Sequence, residues 1–88
     1  MNTVKIFYKD DCPMCPMAKK LRDSLIKKEI IVSEYNVETA DGLAEAAFHD
    51  VMALPTIIIE DDNENELNCW RGMVPKVEEI INALKGGE

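Results

Sequence analysis

The sequence predicts a small α/β fold of order β-α-β-α-β-β-α, a sheet with helices on both faces. Three observations predict it. Short apolar, β-branched runs recur at strand length. Between them, apolar residues return at spacings of three and four. The last two strand-like runs are separated only by a short acidic turn, which makes them an antiparallel hairpin. A chain of 88 residues holds one domain, taken as residues 1–88, with one modest core.

The first strand is Val4 to Tyr8, V-K-I-F-Y, read as well buried. A helix over residues 13–28 follows, with Met14, Ala18, Leu21 and Leu25 on one face and Lys19, Lys20, Arg22, Asp23, Lys27 and Lys28 over much of the rest. Residues 30–37, I-I-V-S-E-Y-N-V, form the second strand. Thr39 or Asp41 caps a second helix over about Gly42 to His49, with Leu43, Ala46 and Ala47 inward. A proline, Pro55, then stands directly before the β-branched strand Thr56 to Glu60. The run Glu60-Asp61-Asp62-Asn63-Glu64 reads as a solvated hairpin turn, and Glu66 to Arg71 as the fourth strand, broken by Gly72. Pro75 suits the first turn of a last helix with Val77, Ile80, Ile81 and Leu84 at helical spacing, ended by Gly86 and Gly87.

A strand, a helix and a next strand make a right-handed parallel unit. Cys12 then lies past the carboxyl end of the first strand, where open α/β sheets place their sites. The net charge of −7 argues against nucleic acid and anionic membrane as partners, since both reward a basic face. There is no long apolar run and no basic-then-apolar leader, so the expected place is the cytoplasm. Three cysteines, Cys12, Cys15 and Cys69, do not make a disulfide framework.

Cys12-Pro13-Met14-Cys15 sets two thiols one helical turn apart, close enough to form a disulfide. With Cys12 at the N-cap and Pro13 at the first helical position, the sulfur lies near the free N–H groups of Met14 and Cys15, which favour thiolate together with the helix dipole. Cys12 is therefore the expected nucleophile and Cys15 the resolving thiol. Pro16 lacks an N–H and disfavours helical geometry at Cys15, so a distorted first turn is expected. Asp10 and Asp11 oppose thiolate formation, and Lys9 and Lys19 favour it. A zinc site needs four ligands, for which only Cys69 and His49 remain, unpaired and far apart in sequence. Cys69 reads as a small hydrophobe in a strand, His49 as a helix-end residue and Trp70 as packing. Met14, Met17, Met52 and Met73 read either as core fillers or as an adaptable surface at the cysteine end, with Met14 and Met52 expected to contact protein substrates.

The C-x-x-C after the first strand, Leu54-Pro55-Thr56 before a β-branched strand, and W-R-G at Trp70 to Gly72 ahead of a helix together resemble the thioredoxin/glutaredoxin superfamily over essentially the whole chain. The resemblance implies a thioredoxin fold: a four-stranded mixed sheet of order 2-1-3-4 flanked by three helices. It also implies a cis peptide bond at Pro55, a Pro55 loop facing Cys12, and a Leu54 backbone that pairs with an extended substrate. The expected substrate-binding residues are Pro13, Met14, Leu54 and Pro55. Short length and C-P-x-C are similar to glutaredoxins, whereas W-R-G is similar to small thioredoxin-like proteins of archaea and bacteria. Where glutathione-using glutaredoxins carry a Gly-Gly turn and an acidic residue, this chain reads Arg71-Gly72-Met73-Val74-Pro75. Asp11 stands where typical thioredoxins carry a tryptophan.

The expected function is that of a thiol–disulfide oxidoreductase reducing protein disulfides through Cys12 and Cys15. No bound cofactor or metal is expected, because the dithiol is itself the carrier. An upstream disulfide reductase would restore it, and a monomer is the default. The alternatives are a glutathione-dependent glutaredoxin, and a metal or iron–sulfur binding module using the same cysteines.

Overall fold

The computed structural model describes residues 2–86. Its elements are β1 (Thr3–Tyr8), α1 (Cys15–Lys27), β2 (Ile31–Asn36), α2 (Ala40–Phe48), β3 (Thr56–Glu60), β4 (Glu66–Arg71) and α3 (Val77–Gly86). The strands form one sheet in the order β2-β1-β3-β4, as the resemblance implies. β1 runs parallel to β2, with Tyr8 opposite Asn36. It runs antiparallel to β3, with Phe7 opposite Thr56, and β3 runs antiparallel to β4. The carboxyl end of β1 and the start of β3 therefore meet at one end of the sheet, which brings the Cys12 and Pro55 segments to the same side.

β3 is buried at all five positions, and β1 at four consecutive ones, because helices cover both faces of these central strands. On one face Val4, Ile6, Ile57 and Ile59 pack with Ala18, Leu21 and Leu25 of α1 and Ile80 of α3. On the other, Phe7 and Ile58 pack with Ala46 of α2, with Tyr35, Val51, Leu54 and Cys69 partly covered at its edge. Fully burying an apolar side chain of this size contributes roughly 1.5–3 kcal/mol, so the first layer carries most of the hydrophobic stabilisation.

The structure corrects several expectations. α1 starts at Cys15 rather than residue 13, with Met14 at the N-cap. Pro16 thus falls in the first turn, where its missing N–H costs no helical bond. α2 is longer at its front, capped by Thr39, whose Oγ1 accepts from the Gly42 N–H at 3.0 Å. Leu43 and Ala47 face outward rather than inward, because Gly42, Ala46 and His49 occupy the buried side. Glu60 is buried rather than part of a solvated turn, because it pairs with Lys5. The turn proper is organised by Asp61, whose Oδ1 accepts from the N–H groups of Asn63 and Asn65 at 2.8 and 2.9 Å. Those bonds hold the Asp61 carboxyl below its usual range. Pro75 lies before α3, which begins at Val77 and still includes Gly86; Gly87 lies outside the described residues. Lys76 starts that helix: its N–H donates to Glu79 Oε2 at 2.7 Å and its carbonyl accepts from the Glu79 N–H at 3.0 Å.

Candidate active site

After Tyr8 the chain leaves the sheet, passes the exposed Lys9, Asp10 and Asp11, and turns at Cys12. The Cys15 N–H donates to the Cys12 carbonyl at 3.2 Å, closing Cys12-Pro13-Met14-Cys15 into one turn ahead of the helix. Met17 and Ala18 both donate to the Met14 carbonyl, at 3.1 and 3.4 Å, so the first helical turn is tight, as Pro16 requires. Cys12 is therefore outside α1, and it does not occupy the N-cap expected of it. The two Cα atoms are 5.2 Å apart and the sulfurs lie at disulfide distance. Both cysteines are buried, with Cys12 6% and Cys15 2% exposed.

Charge around the turn is mixed. The Asp10 N–H donates to Glu38 Oε1 at 3.1 Å, which adds a carboxylate from the β2–α2 link to the acidic side. The Lys19 ammonium sits 5.5 Å from the Tyr8 ring centroid. Pro13 and Met14 are exposed at the surface of the turn.

The second segment is Ala53-Leu54-Pro55, and its Leu54–Pro55 peptide bond is cis. Thr56 Oγ1 donates to the Ala53 carbonyl at 2.6 Å, and the Gly72 N–H donates to the Pro55 carbonyl at 2.9 Å. Gly72 has φ +72°, and a Cβ there would sit 3.3 Å from Ala53 Cβ. A glycine is needed for both reasons. Pro55 is buried and Leu54 half-buried. The N–H and C=O of Leu54 take no backbone partner among the described residues. Met14, Met17, Met52 and Met73 are 39%, 55%, 91% and 48% exposed, so none of the four fills the core.

Sequence reading missed a polar cluster beneath α2. Lys5 Nζ contacts Glu45 Oε2, lies 2.8 Å from Glu60 Oε1 and 3.4 Å from His49 Nε2. His49 Nε2 is 3.5 Å from both Glu45 Oε2 and Glu60 Oε2, and its ring meets the edges of Phe7 and Phe48. Burial lowers the Lys5 pKa, but the hydrogen bonds and charges of Glu45 and Glu60 outweigh it and leave the ammonium above its ordinary value. The signal was available in the sequence: a lysine inside the apolar run V-K-I-F-Y, and a Glu–His pair four residues apart on α2. Among the described residues no three of His, Cys, Asp or Glu are arranged to hold a metal ion. Arg71 Nη2 donates to the His49 carbonyl at 3.1 Å, which ties the end of α2 to β4. Cys69 is half-buried with Ile58 opposite it, and burial, then Glu66, pushes its thiol up to about 11. Trp70 packs half-buried against the α1/α3 layer.

A family model described as a thioredoxin domain matches residues 2–85. A protein named Probable Thioredoxin from Archaeoglobus fulgidus is 30% identical over an alignment covering 100% of this chain and 94% of that one. Thioredoxin 1 of Thermosipho africanus superposes with a TM-score of 0.76 at 23% identity, covering 97% of this chain and 92% of that one. A thioredoxin-2 described as a component of malaria parasite protein secretion machinery gives a TM-score of 0.81 at 25% identity, covering 98% of this chain and 82% of that one. The chain belongs to the thioredoxin family, and its function is of the thiol–disulfide oxidoreductase kind.

Proposed function

We propose that this protein reduces disulfides in other proteins through a Cys12/Cys15 dithiol. The observation that carries the reading is the pair itself: two sulfurs at disulfide distance on a turn past the carboxyl end of β1. In the forward reaction the Cys12 thiolate attacks one sulfur of the substrate disulfide. A Cys12–substrate bond forms and the other substrate sulfur leaves as thiolate. Cys15, deprotonated, then attacks Cys12 Sγ, forming Cys12–Cys15 and releasing the second substrate thiolate. Two electrons pass to the substrate, and the two thiol protons of the dithiol balance its two new thiolates. Cys12 is assigned the attack because it is the more exposed of the two and precedes the helix, with Cys15 inside the first turn.

The free backbone groups of Leu54 support a role for Leu54 and Pro55 in pairing with an extended substrate strand. Pro13 and Met14 offer the apolar surface on the other side. The dithiol is the carrier, so the cycle calls for no bound cofactor, and an upstream disulfide reductase of the cell restores it. One free cysteine beside one redox pair fits a reducing compartment, and the proposed setting is the cytoplasm, as a monomer of one domain.

The test counts free thiols across a series of thiol–disulfide buffers. A reversible two-electron transition near about −270 mV is expected for a reducing dithiol carrier. A Cys15→Ser variant should stall as a mixed disulfide with an unfolded disulfide-bonded substrate, and Cys12→Ser should form none. Absence of any reversible transition sinks the reading.

A further inference from the structure

α2 has its polar and apolar sides exchanged relative to an ordinary surface helix. Its covered side is Gly42 and Ala46, with Glu45 and His49 turned to Lys5. Its outward side is Ala40, Leu43, Ala44, Ala47 and Phe48, broken only by Asp41. A surface helix normally turns charge outward. Here Leu43 is 61% and Phe48 66% exposed, and Met52, 91% exposed, stands on the link between α2 and Pro55. A single exposed leucine needs no explanation, but a whole apolar face does.

We propose that this face docks a protein partner whose contacting segment is apolar with basic flanks, beside the disulfide-exchange site; the proposal rests on the redox reading above. Charge selects the partner. α2 carries no lysine or arginine, and its exposed charges are Asp41 and then Asp50 just past its end. The chain as a whole is at −7. A second copy brings the same acidic groups to the same face, and like charges oppose it. Area also argues against a lasting dimer. A nine-residue helix is about 13 Å long, and its face falls far short of the roughly 800 Å² per partner of a stable interface. A small face suffices for a partner that the mixed disulfide holds covalently while exchange proceeds. Docking on α2 then chooses which disulfides reach Cys12.

The test uses pre-reduced protein in single turnover with three mixed disulfides of 5-thio-2-nitrobenzoate. One is on a leucine-rich peptide flanked by lysines, one on the same peptide flanked by glutamates, and one on 2-mercaptoethanol. Cys12 attacks the peptide or mercaptoethanol sulfur, the coloured aryl thiolate leaves, and Cys15 releases the thiol. At low salt the lysine-flanked peptide should react about tenfold faster than the glutamate-flanked one, the low end of electrostatic steering, with the gap closing in high salt. The double variant Leu43→Ser/Phe48→Ser should lose the peptide advantage over mercaptoethanol while keeping the mercaptoethanol rate and the melting temperature. Asp41→Lys/Asp50→Asn should abolish the lysine preference with the apolar face intact; asparagine tolerates the φ of +54° at position 50. Equal rates for the two peptides, or a preference unchanged in both variants, overturns the docking proposal. So does sedimentation showing a dimer that the serine variant dissociates. Failure of the redox reading shows separately, as no aryl thiolate release from mercaptoethanol by the parent protein, and the docking proposal falls with it.

Discussion

Replacing Lys5 with methionine keeps the unbranched apolar stem of the side chain and removes its charged end. Glu60 is then left 7% exposed beside β1, with Oε1 stripped of a cation 2.8 Å away and Oε2 already without a hydrogen bond. Glu45 is 27% exposed and can turn to water, so it adds little. Breaking a buried pair by removing one partner costs about 3–5 kcal/mol. A domain of this size has about 5–15 kcal/mol in all, so the variant should lose about a fifth of its stability or more. At about 4–8 °C per kcal/mol, melting should fall by at least about 12 °C. Lys5→Met/Glu60→Leu removes both charges and should recover most of the loss, since apolar replacement of a buried pair is often neutral. Urea unfolding of parent, single and double variants measures all three. A single-variant cost under about 1 kcal/mol, or a double variant no better than the single, refutes the claim that this pair is a buried charge pair. The parent adds a pH arm. The Lys5 pKa is raised in the folded state above its ordinary 10.5, so its contribution is complete below that value. It is lost as pH rises through the folded pKa, and the gap between parent and Lys5→Met should therefore narrow in strong alkali.

Gly72→Ala meets both a φ of +72° and the Ala53 methyl at 3.3 Å, and should cost about 1–2 kcal/mol in urea unfolding; a neutral effect would mean the 53–55 loop gives way freely. With its thiol pushed up to about 11, Cys69 should alkylate at pH 8 about a hundredfold more slowly in the folded than the unfolded chain, read by mass after iodoacetamide; equal rates would refute its burial. Met52→Ser, at a 91% exposed position, should leave melting unchanged within about 0.5 kcal/mol and slow reduction of a protein disulfide; unchanged kinetics would remove Met52 from the substrate surface.

The elements legible in the sequence were those whose pattern reports one dominant force. β3 reads as β-branched throughout because it is buried throughout, and the hairpin to β4 follows from its short turn. α1 shows its buried stripe, Ala18, Leu21 and Leu25, at the spacing the sequence gives away. Cys12, Cys15 and Pro55 were legible as a motif, and register brings their segments to one end of the sheet. Readings failed where a backbone constraint or a polar contact outcompeted pattern. The start of α1 was misplaced because Pro16 shifts the first turn to Cys15, taking Cys12 out of the cap. Glu60 looked like part of an acidic turn, and only the partner across the sheet, at sequence separation 55 by 60 − 5, reveals it as buried. Leu43 and Ala47 looked inward because apolar residues usually are, and the Glu45–His49 spacing becomes decisive only with Lys5, forty residues away in sequence, to meet it.

The failures at Glu60, Leu43 and Ala47 share one cause, the exchange of faces on α2. A helix that covers the sheet with Gly42, Ala46, Glu45 and His49 buries little apolar area, so hydrophobic docking alone holds it weakly. Its attachment rests instead on the Lys5 cluster and on Arg71, whose guanidinium holds the His49 carbonyl at 3.1 Å. The loop from Asp50 to Pro55 starts where those contacts end. Loss of Lys5 should therefore not loosen the molecule evenly. In Lys5→Met, amide hydrogen exchange should rise first in α2, at denaturant concentrations where β1 and β3, buried between both layers, remain protected. Uniform loss of protection in α2, β1 and β3 would mean that α2 is held by the common core after all. The same exchange of faces that makes the helix dependent on ion pairs leaves its apolar side to solvent, so the weak inner attachment and the proposed outer docking surface are two results of one sequence pattern.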